Sequence, residues 1–144
     1  MFIMGKMHSG YRNMISTKGR YGLRVMIDLA KNSNGDYVPL KDIAERQEIS
    51  KKYLEIIVHK MVEGGLIKGS SGKGGGYKLV RKPEKYTVGE ILTLMEGTIS
   101  SVACLADKNY DCPRRKKCET LPMWKEFDGI VHDYFYGKKL SDFL

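Results

Sequence analysis

No apolar run in this chain approaches the roughly 20 residues needed to span a bilayer, so a transmembrane helix is excluded and no membrane partner is expected. An apolar leader is also missing. The first 13 residues offer only Phe2-Ile3-Met4, where a secretory signal needs roughly 7–15 apolar residues, so a cytoplasmic protein is expected. Residues 1–13 read as an N-terminal extension or remnant, the alternative being a basic arm, because the patterned sequence starts at Met14. Cysteine is scarce: Cys104, Cys112 and Cys118 are an odd set that cannot all pair within one chain. A disulfide framework is therefore a poor reading. His8, His59 and His132 are scattered and form no catalytic pairing, so an enzyme is not expected. Acidic residues are in deficit, 17 against 25 Lys and Arg, which leaves a formal net charge of +8. A surplus of that size points to a polyanionic partner, either nucleic acid or an anionic membrane face.

What is present suffices for a core. With 144 residues, 42% hydrophobic and 29% charged, the chain reads as one domain, or a small domain plus a dimerisation element, and not as a disordered segment. Val25, Met26, Leu29 and Ala30 recur at helical spacing within Arg20 to Lys31, and Asn32 to Asp36 ends that helix. A short helix from Leu40 to Gln47 turns its Ile43 and Ala44 inward, and Glu48-Ile49 reverses the chain. Ser50 is a natural N-cap for the next helix, whose apolar stripe is Leu54, Ile57, Val58, Met61 and Val62, and Gly64-Gly65 stop it. Two short helices across a tight turn are a helix-turn-helix. Leu66 to Ser70 and Tyr77 to Arg81 then read as two strands joined by the glycine-rich Ser71 to Gly76, which makes a winged helix.

Pro83 to Tyr86 is a connector, and Thr87 with Glu90 forms a capping box for a helix that carries Ile91, Leu92, Leu94 and Met95 and ends at Gly97. Thr98 to Thr120 shows little apolar periodicity and holds all three cysteines. A loop that long within a small domain is functional or organised by a ligand. Leu121, Trp124, Phe127, Val131, Tyr134 and Phe135 mark a second long amphipathic helix, and Leu140 to Leu144 a closing segment.

The strongest chemistry lies between Lys51 and Lys82. Eight basic residues there face only Glu55 and Glu63, most of the chain's surplus charge. The side opposite the apolar stripe carries Lys51, Lys52, Glu55, Ile56, His59 and Lys60. On a helix-turn-helix that face reads DNA: lysines and the helix N-terminus meet phosphates, while Ser50, Lys51, Tyr53, Glu55 and Ile56 meet base edges. Tyr53 is equally suited to packing. Glycines at the hairpin let the backbone approach a groove, and Lys73 adds charge, so Ser71, Lys73, Gly74 and Gly75 are wing contacts. The stretch lacks the spacing of a phosphate-binding loop and does not run from strand into helix.

The cysteine spacing, C-x7-C-x5-C, has no close C-x2-C pair and so does not suit zinc. Two readings remain, free thiols and an iron–sulfur cluster held by three Cys and one other ligand. Asp107, Asp111 and Glu119 flank the cysteines as candidate fourth ligands. The Arg114-Arg115-Lys116-Lys117 run is expected in solvent, where it would also offset an anionic cluster.

Together these residues resemble a known family. Ile15-Ser16-Thr17-Lys18-Gly19-Arg20-Tyr21-Gly22-Leu23 is similar to the opening of Rrf-type winged-helix regulators of the IscR, NsrR and CymR kind. Asp42-Ile43-Ala44-Glu45-Arg46 and Ile49 to Glu55 resemble their helix-turn-helix. Gly64-Gly65-Leu66-Ile67 and Gly72 to Tyr77 resemble their wing, and Thr87-Val88-Gly89-Glu90-Ile91, the three cysteines and Trp124 complete the match from about Met14 to Leu144. The resemblance implies a mainly α fold with a small β-hairpin wing. Residues 14–86 would be the winged helix-turn-helix, and 87–144 the cysteine loop and a long C-terminal dimerisation helix. It implies a homodimeric transcription regulator, a repressor, on a near-palindromic operator in double-stranded DNA. Trp124, Phe127, Val131, Tyr134 and Phe135 would lie at the dimer contact.

In cluster-binding members, Cys104, Cys112 and Cys118 would hold iron–sulfur, [2Fe-2S] in preference to [4Fe-4S], sensing iron–sulfur, redox or nitric oxide status. CymR-like members lack the cysteines and answer to cysteine supply through a partner enzyme, and control by a partner or by thiol oxidation is the alternative. Four positions depart from the pattern. Leu121 stands where IscR-type members often have a ligating His, and Tyr21 where nitric-oxide sensors use Asp. Ser71 replaces an Arg in the wing, and Ile56 a Gln after the helix Glu. The fourth ligand and the operator sequence are therefore not carried over.

Overall fold

The helix predicted from Arg20 begins earlier, because Ser16 caps it: its hydroxyl accepts the Gly19 amide at 3.5 Å, and α1 runs Thr17–Asn32. The computed structural model describes residues 13–144; residues 1–12, nearly all of the expected extension, lie outside the described residues. Seven further elements follow: α2 (Leu40–Gln47), α3 (Lys51–Glu63), β1 (Ile67–Ser70), β2 (Gly76–Leu79), α4 (Val88–Glu96), α5 (Ala103–Ala106) and α6 (Leu121–Gly137). Among the described residues no helix is long and apolar enough to cross a membrane.

The apolar spacings place Val25, Met26 and Leu29 of α1, Ile43 of α2, and Leu54, Ile57, Val58 and Met61 of α3 in one core. Ile91 and Met95 of α4 and the distant Leu140 join it. Val62 does not: it was expected inward but is 39% exposed, one residue beyond the stripe that faces α1 and α4. An ion pair between a buried carboxylate and an exposed guanidinium fixes α2 against α1. The Asp28 carboxylate, 2% exposed, accepts from Arg46 Nε and Nη2 at 3.0 and 2.8 Å and from Gln47 Nε2 at 2.9 Å. These bonds to Asp28 are the main reason the Arg46 guanidinium is held above its ordinary pKa. Glu48 takes a left-handed φ of +53°, so only Glu48, Ile49 and Ser50 separate α2 from α3.

β1 and β2 pair antiparallel, Ile67 opposite Leu79 and Ser70 opposite Gly76. Val38 adds a bridge, exchanging backbone bonds with Tyr77 at 2.8 and 2.9 Å. Gly76 is required there: its φ is +145°, and a Cβ would lie 2.1 Å from the Val38 carbonyl oxygen. The strand predicted to reach Arg81 stops at Leu79 because a side chain takes over its amides. The buried Tyr86 hydroxyl accepts from Val80 N and Arg81 N at 2.9 and 3.0 Å and donates to Leu66 O at 2.7 Å. The same residue's carbonyl accepts from Leu140 N, and Val88 N donates to Lys138 O, so the chain's end is stitched to the start of α4. The Thr87–Glu90 capping box forms as the sequence predicts. Gly89 lets α6 close onto α4, since a Cβ would meet the Tyr136 ring at 2.2 Å.

Tyr86→Phe leaves a buried carbonyl and two amides without their partner. It is expected to lower stability by about 2–3 kcal/mol, read as a shifted urea midpoint at unchanged slope.

Candidate functional site

Ser50 Oγ accepts the Tyr53 amide at 3.2 Å and so opens α3 at Lys51. The face away from the core exposes Lys51, Lys52, Glu55, Ile56 and His59, with Ile56 51% exposed. His59 Nε2 lies 3.1 Å from Glu63 Oε1 one turn on. Two residues read from the sequence sit apart from this group. Tyr53 is half-buried, its ring edge-on to Tyr21 at 5.7 Å, and so packs α3 against α1. Lys60 is half-buried and donates to the Met95 carbonyl at 3.3 Å. It lies beside Lys18, whose ammonium is held below its ordinary pKa by burial and then by Lys60. Ser71, Lys73 and Gly74 are exposed at the hairpin tip and Gly75 is half-buried. Gly74 turns at a φ of +76°.

The cysteine loop is less featureless than its sequence. α5 carries Cys104, and a single 3₁₀ turn, Arg115–Lys117, precedes Cys118. Cys104, Cys112 and Cys118 are unpaired and half-buried. With Arg115 and Leu121 they line one cavity of about 10 Å³. Arg115 is exposed, as expected of the basic run, and its guanidinium also turns back on the loop. Its Nη2 donates to the Cys104 carbonyl at 3.0 Å and to the Tyr110 carbonyl at 3.4 Å. Cys118 Sγ is 3.5 Å from Thr120 Oγ1. Hydrogen bonds from the Thr120 hydroxyl and amide, then the Leu121 amide and the Arg114 charge, hold the Cys118 thiol below its ordinary pKa. The loop's root is fastened to α6, where the Asp128 carboxylate accepts from Ser100 Oγ at 2.8 Å and Ser101 N at 2.9 Å. Just before the root, the Glu96 carboxylate accepts from both Ser16 N and Ser16 Oγ at 2.8 Å, tying the end of α4 to the start of α1.

Three soft thiol donors around one cavity, beside a guanidinium, suit an anionic iron–sulfur group. The donor set falls one short of four, since Leu121 completes the lining. Asp107 is engaged with its own turn, its carboxylate accepting the Asn109 amide at 2.9 Å. Among the described residues no His, Cys, Asp or Glu cluster is preassembled for a metal. The cavity is smaller than any such group, so the side chains must part to admit it.

The five aromatic and aliphatic residues read on the last helix fall on two faces. Trp124, Val131 and Phe135 are half-buried against the rest of the chain. Phe127 and Tyr134 point away, 42% and 61% exposed. Met123 and Ile130, which the sequence reading missed, share that open face at 51% and 61%. Positions 123, 127, 130 and 134 alternate steps of four and three, so the four form one apolar stripe; that spacing was the signal available in the sequence.

A depressed thiol is more thiolate at neutral pH and therefore more nucleophilic. Cys118 is expected to alkylate first with iodoacetamide at pH 7, and Thr120→Val to slow it severalfold, as followed by peptide mass spectrometry.

Comparison with known proteins agrees with this architecture. The family described as "Rrf2: Iron-dependent Transcriptional regulator" matches residues 15–144. The protein rrf2 of Nitratidesulfovibrio vulgaris is 38% identical over 130 residues, covering 90% of this chain and 86% of that protein. The structure of CymR, the global cysteine regulator of B. subtilis, superposes with a TM-score of 0.71 at 37% identity, covering 89% of this chain and 93% of the other. T. potens IscR superposes at 0.68 with 34% identity, covering 89% and 83%. These relatives are regulators and not enzymes, and their winged-helix architecture is that of the helices and hairpin described above. The chain belongs to the Rrf2 family of transcriptional regulators.

Proposed function

We propose that this regulator is a homodimeric repressor whose grip on DNA is set by an iron–sulfur cluster held by Cys104, Cys112 and Cys118. The observation that carries the reading is that Cys104, Cys112 and Cys118 all line one small cavity. The dimer forms along the open stripe of α6, where Met123, Phe127, Ile130 and Tyr134 otherwise stay in water. Two copies of α3 then enter successive major grooves of a near-palindromic site about one helical turn apart. Lys51 and Lys52 neutralise phosphates, Glu55 accepts from a cytosine amino group, and the wing residues Ser71, Lys73, Gly74 and Gly75 approach the flanking backbone.

When bound, the cluster supplies an anionic centre sensitive to oxidation and to small ligands. Three cysteine thiolates hold it, and the type favoured is [2Fe-2S]. The chain's own residues do the rest. Asp128 fixes the root of the cysteine loop to the dimer helix. Glu96 and Lys60 join the end of α4 to α1 and α3. A change in loop order therefore bears on the placement of the reading helices. The shift can be no larger than the cluster's difference in affinity for the two arrangements. A second reading, control by a partner protein or thiol oxidation without a cluster, is favoured by the likeness to CymR.

Anaerobic purification with visible spectra and iron and sulfide counts separates the two. The cluster reading expects coloured protein that loses its iron when any one of Cys104, Cys112 or Cys118 becomes Ala; protein colourless even after reconstitution moves control to the alternative. On the DNA side, Lys51→Ala and Lys52→Ala are each expected to weaken operator binding and reduce the slope of log affinity against log salt by about 1. An unchanged slope in both would remove these lysines from the interface. Ile130→Asp is expected to yield a monomer by light scattering with the circular dichroism of α3 and α6 retained.

A further inference from the structure

Arg115 is the one member of the basic run that lines the thiol cavity. Its neighbours Arg114, Lys116 and Lys117 line no part of it. The Arg115 guanidinium spans the loop, donating from Nη2 to the carbonyl of Cys104 in α5 and to the carbonyl of Tyr110 midway along. Its own amide donates to the Cys112 carbonyl at 3.1 Å. One residue thus touches the backbone at two of the three cysteines and sits three residues before the third. Between Cys104 and Cys118 the loop has no strand, and its short turns bond only near neighbours, whereas the Arg115 side chain reaches back eleven residues to Cys104.

We propose that Arg115 is a positioning residue of the cysteine site, a staple that gathers the three thiols in the metal-free chain and a fixed positive charge beside whatever anionic group they hold. The second role rests on the cluster reading above; the first does not. A guanidinium suits both, because its planar fork bonds carbonyls and its charge persists at any working pH. A positive charge beside an anionic centre favours the more negative, reduced form, so its removal should move the reduction potential downward.

The test uses the full chain with Arg115→Gln and Arg115→Lys. In metal-free protein, Arg115→Gln should raise the labelling rate of Cys104 and Cys112 about fivefold, the factor expected when roughly one net hydrogen bond holding the loop is lost. Far-ultraviolet circular dichroism should be unchanged, which separates a loosened loop from a failed fold. In cluster-loaded protein, a redox titration followed by visible absorption should show a negative shift for Arg115→Gln and a potential near that of the parent for Arg115→Lys. Labelling unchanged in Arg115→Gln would overturn the staple, and a potential unmoved by Arg115→Gln would overturn the charge role. If the parent chain takes up no iron, the cluster reading and the charge role fall together, and the labelling arm still decides the staple.

Discussion

The buried hydroxyl of Tyr86 is the joint from which the rest of the molecule is hung. It holds the strand ends of the wing by bonding Leu66, Val80 and Arg81, while its backbone receives the returning C-terminal segment at Leu140. Arg81 stacks over its ring at 4.1 Å and pairs with Glu90, the residue that closes the cap of α4. Wing, α4 and chain terminus are thereby joined at one residue, through its side chain and its backbone. A phenol suits this position because its apolar body fills the core while its oxygen both donates and accepts.

From that joint the two working parts diverge. The exposed basic face of α3 has firm backing: α3 is packed on its apolar side by α1 and α4, and the Asp28 ion pair fixes α2 beside it. The cysteine loop is held at a few points instead, by Asp128 at its root, Arg115 across its middle and the Thr120 hydroxyl at its end. Few apolar contacts and many solvent-facing bonds put such a segment at the low end of local stability, which is where a ligand can change order at little cost. Glu96 and Lys60 lie between the two parts, so the loop begins one turn of chain after a contact with α3.

Local signals carried well through to the structure. The capping box at Thr87 and Glu90, the Ser50 cap and the Gly64-Gly65 stop involve residues within four positions of one another, and each formed as read. The last helix illustrates the opposite case. Its apolar residues are dense enough that one broad stripe and two narrow ones fit the same spacing. Only packing against α4 separates Trp124, Val131 and Phe135, turned inward, from Met123, Phe127, Ile130 and Tyr134, left outside. The whole basic run is exposed, as its sequence suggests, but nothing local marks which of its four cations also bonds back to the loop's carbonyls, as Arg115 does.

The sequence by itself determined the helix-turn-helix with its wing, the basic face of α3 and the spacing of three cysteines, because each depends on periodicity, caps and turn residues over short stretches. Tertiary structure decided what required distant parts of the chain to meet. It brought Cys104 and Cys118 to one cavity with Arg115, drew Lys60 away from the exposed basic face of α3 toward Met95, and ended the wing's second strand at Leu79. The reason is geometric: a hydrogen bond closes over about 3 Å of space whatever the separation along the chain, and that separation is all a single sequence displays.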